Sequence, residues 1–139
     1  MAFRILLDAE VLLDLTLKRE KYPVIRQLVE WAIKGRVQAF VTPSILQVIA
    51  GEVRAAYGPN RAKELLLALL AEVQVIDIGH ETAVSALHSD MSDLEGVLSY
   101  YAALHHKLDY FITRDERLVR AAIPVLPVCS PEEFLANNL

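Results

Sequence analysis

The stretch Phe3-Arg4-Ile5-Leu6-Leu7-Asp8 is an almost entirely apolar run that stops at a carboxylate. A central strand of a parallel sheet is covered on both faces, so its side chains are apolar in succession instead of alternating with polar ones. The run therefore predicts a central strand from Phe3 to Leu7. Asp8 is then expected at the carboxyl end of that strand.

Outward from this strand, short β-rich runs alternate with longer helical patterns. Further strands are predicted at residues 38–41, 73–76 and 110–113. Helices are predicted after Asp8, at residues 24–33, 43–56 and 60–71, and from residues 93, 115 and 131. The alternation predicts an α/β fold, a three-layer α/β/α sandwich with a central, mainly parallel sheet of about five strands and with about seven helices. No linker or internal repeat divides the chain, so residues 1–139 are predicted to form a single domain.

Composition narrows the class of protein. The only cysteine, Cys129, excludes an intrachain disulfide and a zinc site made of several thiolates. A net charge of −4 argues against binding nucleic acid by overall positive charge, but it allows a basic rim around an acidic pocket. The densest apolar run, Leu65 to Ala71, is far shorter than the roughly 20 residues that span a membrane, and the start resembles no secretion signal. We therefore expect a cytoplasmic protein without a membrane segment.

Acidic residues recur where predicted strands end or helices begin. Asp8 ends the first strand, Asp115 follows the strand at 110–113, and Asp93 with Glu95 opens the helix before that strand. Ligands of parallel α/β sheets bind beyond the carboxyl ends of the strands, so these loops are expected to converge on one crevice. Clustered carboxylates favour Mg²⁺ or Mn²⁺, and such an ion can activate water for phosphodiester hydrolysis.

A purely structural interpretation stays open, because each of these aspartates also stands where it could cap a helix. Ser92-Asp93-Leu94-Glu95 matches a capping box, in which Glu95 bends back to the start of the helix, so Glu95 ranks below Asp93 as a functional residue. In the helix that follows, Leu94, Val97, Leu98, Tyr101 and Leu104 predict a stripe facing the core. This stripe leaves Tyr100 on the outer side.

Several segments together resemble the PIN family of prokaryotic toxin-type ribonucleases and related RNA-processing nucleases. They are residues 5–14 (ILLDAEVLLD), 93–97 (DLEGV), 110–115 (YFITRD) and the tail at 123–135. The resemblance runs almost end to end. It implies a metal-dependent endoribonuclease with an RNA substrate, a homodimer and an antitoxin partner.

The resemblance also implies site residues: Asp8, Asp93 and Asp115, with Glu10 or Glu95, would hold Mg²⁺ or Mn²⁺. Arg114 and Arg117 are singled out by position, because they flank the proposed site next to Asp115 and could hold RNA phosphates. Such contacts predict RNA binding that weakens steeply as salt rises.

The chain departs from the family pattern at three places. Glu10 replaces an asparagine, Gly96 replaces an aspartate, and the acid expected near Gln47 or Val48 is absent, with Glu52 one helical turn later as a poor substitute. These departures support an alternative, a degenerate PIN domain that binds RNA or protein without catalysis. A nucleotide-binding α/β protein is disfavoured because no glycine-rich loop follows the first strand.

Overall fold

The computed structural model describes residues 2–139, and within them five strands alternate with eight helices. The strands are β1 (Phe3–Leu7), β2 (Val37–Val41), β3 (Val73–Val75), β4 (Tyr110–Ile112) and β5 (Val128–Cys129). The helices are α1 (Ala9–Thr16), α2 (Tyr22–Ile33), α3 (Pro43–Tyr57), α4 (Pro59–Leu70), α5 (His80–His88), α6 (Leu94–His105), α7 (Glu116–Ala121) and α8 (Pro131–Asn137). None of these helices is both long and apolar enough to cross a membrane.

The strands form one sheet in the order β3-β2-β1-β4-β5, and every neighbouring pair is parallel. Successive residues of a strand point to opposite faces of the sheet. Ile5, Leu6 and Leu7 of β1 are each at most 1% exposed, so both faces are covered. The predicted α/β fold with a central parallel sheet of five strands is confirmed.

The strand order reverses direction beside β1. The chain first builds outward from β1 through β2 to β3, and then returns to add β4 and β5 on the other side. Loops leaving two neighbouring parallel strands in opposite directions open a crevice at their carboxyl ends. The crevice here lies between the ends of β1 and β4, next to Asp8.

Helix α5 is the helix that the sequence pattern did not predict. Only Ala86 of its residues is buried, whereas Val84 and Leu87 are exposed. A helix that buries so little has no apolar stripe to reveal it.

Helix α6 differs from its prediction in both its start and its buried face. It begins at Leu94 with Asp93 as the N-cap, and the predicted capping box between Ser92 and Glu95 is wrong. Tyr100 is completely buried, and Leu94 is 60% exposed. The helix packs against α5, α3 and β4, so no single stripe describes it.

Candidate active site

A pocket of about 730 Å³ lies at the carboxyl ends of β1 and β4. Six carboxylates line it, together with one guanidinium, that of Arg117; the acids are Asp8, Glu10, Glu52, Asp93, Glu95 and Asp115. The three aspartates that were predicted from separate parts of the chain therefore share one pocket. That Asp8 and Asp115 converge follows from the parallel sheet, which directs the ends of β1 and β4 to the same edge, and Asp93 joins them from the start of α6.

Asp8 is the most constrained of these carboxylates. Its Oδ1 accepts a hydrogen bond from the Ala9 N–H at 2.8 Å, so it caps α1 as the structural interpretation expected. Its Oδ2 accepts one from the Thr113 hydroxyl at 2.6 Å. Burial raises the pKa of Asp8, as do the negative charges of Asp115 and Glu10, while the two hydrogen bonds lower it.

Thr113 joins the two strand ends. Its side chain is 1% exposed, and besides donating to Asp8 its oxygen accepts the Asp115 N–H at 3.1 Å. One hydroxyl thus fixes the Asp8 carboxylate and the first turn of the loop that carries Asp115. No role for Thr113 follows from charge or spacing, although it lies in the segment 110–115 that resembles the family.

Asp93 and Asp115 both contact Arg117. The Arg117 Nη2 lies 3.1 Å from Asp115 Oδ2 and 3.5 Å from Asp93 Oδ2. Asp115 also caps α7 by accepting the Arg117 N–H at 2.9 Å, whereas Asp93 makes no capping hydrogen bond with its side chain. Hydrogen bonds from the Arg117 side chain are the main reason that the pKa of Asp115 is lowered. Asp93 is therefore directed at the pocket and does not cap its helix.

The three glutamates differ in how they meet the pocket. The Oε2 of Glu10 forms an ion pair of 2.8 Å with Arg19 Nη1 at the surface. Glu95 is exposed beside Asp93 and, without the predicted capping box, faces the pocket rim. Glu52 also lines the pocket from α3, although its spacing predicted a poor substitute for the expected family acid.

Arg114 lies away from this pocket. Its Nε is 3.1 Å from Asp14 Oδ2 and its Nη1 is 2.6 Å from Glu132 Oε1. The ion pairs raise the pKa of Arg114 and lower that of Glu132. Asp14 is 7% exposed, so Arg114 serves as the counterion of a buried acid. The predicted phosphate contact is therefore kept for Arg117 alone.

The wall formed by α3 carries amide, hydroxyl and apolar groups where a family acid was expected. Gln47 and Val48 line the pocket there, with Ser44 and Ser99 nearby. The hydroxyl oxygen of Ser44 lies 3.0 Å from that of Thr42, which itself lies 3.5 Å from that of Ser99. Uncharged groups thus stand at the positions of the expected acid, and Glu52 is the carboxylate that α3 brings to the pocket.

Gly96 is closely surrounded. A Cβ atom at this position would lie 2.6 Å from Asp93 Oδ2 and 3.0 Å from both terminal methyl groups of Leu118. The absence of a side chain at residue 96 is what allows Asp93 and Leu118 to occupy this space.

The pocket has the types of atom that bind a divalent metal ion, but it does not hold them in the arrangement that such an ion requires. Carboxylate and hydroxyl oxygens are suited to a hard divalent cation. Within residues 2–139, however, no three His, Cys, Asp or Glu side chains are grouped closely enough to hold one. The residue types fit such an ion, but in this structure their side chains are not gathered around one point.

Comparison with known families settles the relationship. The family model described as "PIN domain" matches residues 4–117. This chain belongs to the PIN domain family. The resemblance found in the sequence is confirmed, and nuclease activity is consistent with membership of this family.

Solved PIN-type structures share the fold at low sequence identity. VapBC2 from Rickettsia felis, bound to a DNA fragment from its promoter, aligns with a TM-score of 0.68 and 12% identity over 91% of this chain and 97% of that chain. A toxin–antitoxin complex from Klebsiella pneumoniae aligns with a TM-score of 0.68 and 21% identity, over 91% of this chain and 97% of that chain. Mycobacterium tuberculosis VapC20, a toxin that cleaves the sarcin-ricin loop, aligns with a TM-score of 0.66 and 14% identity, over 88% of this chain and 98% of that chain. No curated protein sequence matches this PIN domain.

Proposed function

We propose that this PIN domain is a metal-dependent endoribonuclease that hydrolyses phosphodiester bonds of RNA in the cytoplasm. The observation that carries the proposal is the convergence of Asp8, Asp93 and Asp115 on one pocket at the point where the strand order reverses. Helix capping alone gives no reason for Asp93 to face the pocket, because its side chain caps nothing.

In the proposed mechanism, Asp8, Asp93 and Asp115 would hold Mg²⁺ or Mn²⁺, with Glu10 or Glu95 at the rim. When bound, the ion would lower the pKa of the attacking water and neutralise charge on the phosphate. Thr113 keeps the Asp8 carboxylate pointed into the pocket through its 2.6 Å hydrogen bond.

Two side chains at the rim would meet the substrate. Arg117 is 66% exposed at the rim, where its guanidinium can donate two hydrogen bonds to phosphate oxygens. Glu95, an exposed carboxylate beside Asp93 on the rim, would accept a proton from the attacking water.

The partner proposals rest on the family. Two of the structural neighbours are toxin–antitoxin complexes, so we propose an antitoxin protein as the partner. We also propose a homodimer, as the resemblance implies. Light scattering of the purified chain tests the dimer, and co-purification with the product of an adjacent gene tests the antitoxin.

A second candidate function is a PIN domain that binds RNA or protein without turnover. The specific observations that favour it are the uncharged residues Gln47 and Val48 where an acid was expected, and Gly96, whose vacant side-chain space is occupied by the ends of the Asp93 and Leu118 side chains. In this alternative the pocket survives as a surface and no longer holds a metal ion.

Calorimetry with Mn²⁺ separates these two functions. We expect wild-type protein to bind the ion and Asp8→Asn to bind it much more weakly. Asp90→Asn is the matched control, because Asp90 is exposed and lies outside the pocket. Equal binding by wild type and Asp8→Asn would reject the nuclease proposal and support the binding module.

An RNA-cleavage assay then tests the chemistry. End-labelled RNA should be cut by wild type and by Asp90→Asn but not by Asp93→Asn. Attack by water leaves a phosphate monoester and a hydroxyl, whereas attack by the ribose hydroxyl leaves a cyclic phosphate. Products that carry cyclic phosphate, or cleavage that persists in Asp93→Asn, would indicate a contaminating ribonuclease and count against the proposal.

A further inference from the structure

Arg117 stands where the acidic pocket needs a cation. Its guanidinium contacts two of the three central aspartates, Asp115 at 3.1 Å and Asp93 at 3.5 Å. Asp8, the third, forms no ion pair with any residue of the described range 2–139 and is held by the Ala9 N–H and the Thr113 hydroxyl. The conformation therefore gives two of the three central aspartates one internal counterion, which they share.

We infer that Arg117 is an internal counterion that competes with a divalent cation for Asp93 and Asp115. The inference rests on the proposed metal-dependent function and adds a step to it: the guanidinium must leave these carboxylates before they can bind an ion together with Asp8.

The ion pairs of Arg117 are weak enough for a metal ion to displace them. Its side chain is 66% exposed and extends from α7, a helix of six residues. Ion pairs at such exposure are weak, because water solvates both charges and the long side chain loses entropy when it is fixed. Arg114 is different, since it is 28% exposed and is held by Asp14 and Glu132, outside the pocket.

Release of Arg117 would also change its role. While it is paired with Asp93 and Asp115, the guanidinium donates its N–H groups to the protein's own carboxylates. Once a cation replaces it there, those donors are free for the phosphate of the substrate. Metal binding and phosphate binding are then linked through one side chain.

The experiment measures Mn²⁺ affinity by calorimetry in wild type, Arg117→Gln and Arg117→Lys. We expect Arg117→Gln to bind Mn²⁺ at least about fivefold more tightly than wild type, the low end of typical coupling between two ligands. Arg117→Lys should fall between them, since lysine keeps the charge but cannot form the paired contacts. Thermal unfolding without metal verifies that each variant is folded.

Arg120→Gln is the matched control. Arg120 lies on the same helix and is exposed, and it forms no ion pair within residues 2–139, so this variant removes the same charge without removing the contact. We expect its Mn²⁺ affinity to equal that of wild type. An equal gain in Arg117→Gln and Arg120→Gln would show a general charge effect and overturn the inference.

The remaining outcomes separate this inference from the proposed function. If Mn²⁺ binding depends on Asp8 but is the same or weaker in Arg117→Gln, the competition is refuted and the metal-dependent function stands. If neither wild type nor Arg117→Gln binds Mn²⁺, both are overturned. Should Arg117→Gln unfold, Arg117→Lys alone decides, because affinity no higher than that of wild type then refutes the inference.

Discussion

Replacing Thr113 by valine tests whether one buried hydroxyl holds the proposed site together. The Thr113 side chain is 1% exposed, and its oxygen donates to Asp8 at 2.6 Å and accepts the Asp115 N–H at 3.1 Å. Valine keeps the branched shape and removes the hydroxyl. Thr113→Val therefore leaves a buried carboxylate oxygen and a backbone N–H without their partner.

The size of the effect follows from these two hydrogen bonds. A hydrogen bond to a charged group contributes about 1.5–3 kcal/mol and a neutral one about 1 kcal/mol, so Thr113→Val should lower the free energy of unfolding by about 2–4 kcal/mol. Thr113→Ser keeps the hydroxyl and loses one methyl group, which should cost only about 1 kcal/mol. The difference between the two variants measures the hydroxyl itself.

Urea denaturation followed by circular dichroism measures both variants, at neutral and at acidic pH. The Thr113 hydroxyl lowers the pKa of Asp8, so its removal raises that pKa further. The cost of Thr113→Val should be complete above the raised pKa, where Asp8 is ionised, and should shrink as the pH falls through it and Asp8 becomes protonated. Equal stability of the valine and serine variants, or a cost that does not change with pH, would refute this account of the site.

Three further changes test the surrounding structure. Asp8→Asn should raise the melting temperature at neutral pH, because the raised pKa of Asp8 means that its ionised form costs stability. The gain should be complete above the raised pKa and should disappear as the pH falls from it to the ordinary pKa of an aspartate, which thermal unfolding at several pH values would show. Tyr100→Phe should lower the free energy of unfolding by about 2 kcal/mol in urea titrations, because the buried hydroxyl donates to the Leu126 carbonyl at 2.8 Å and accepts the Ile123 N–H at 2.9 Å. Asp14→Ala should lower the free energy of unfolding by about 2 kcal/mol in the same titrations. This is less than the cost of breaking a fully buried ion pair, because Arg114 is partly exposed and keeps its contact with Glu132. A loss no greater than that of Asp90→Asn would contradict the role of Asp14 and Arg114 as an ion pair that stabilises the fold.

The sequence predicts the centre of this fold better than its periphery, for a physical reason. Strand β1 is covered on both faces, so its buried position requires a run of consecutive apolar residues, which the sequence shows up to Asp8. Helix α5 buries only Ala86, and its pattern therefore carries little information. In α6 the reverse holds: it is packed on several sides, and periodicity could not distinguish buried Tyr100 from partly buried Tyr101.

The same distinction applies to the proposed site. That Asp8 and Asp115 meet follows from the fold, because neighbouring parallel strands end at the same edge of the sheet. The fold alone does not predict that Arg114 and Arg117 form ion pairs with different acids. Both lie beside Asp115 in sequence, but Arg114 is bound by Asp14, which lies 100 residues earlier, and by Glu132, 18 residues later. Local pattern cannot reveal partners so distant along the chain.

Gly96 affects the position of the Asp93 side chain as well as the number of carboxylates in the site. In the family pattern an aspartate follows the glutamate that corresponds to Glu95, yet here a Cβ at residue 96 would lie 2.6 Å from Asp93 Oδ2 and 3.0 Å from the Leu118 methyl groups. The Asp93 oxygen that fills this space is the same atom that contacts Arg117 at 3.5 Å. A side chain at residue 96 and the present pairing of Asp93 with Arg117 therefore exclude each other unless Asp93 rotates. Gly96→Asp would therefore require the Asp93 carboxylate to turn away from the position in which it contacts Arg117.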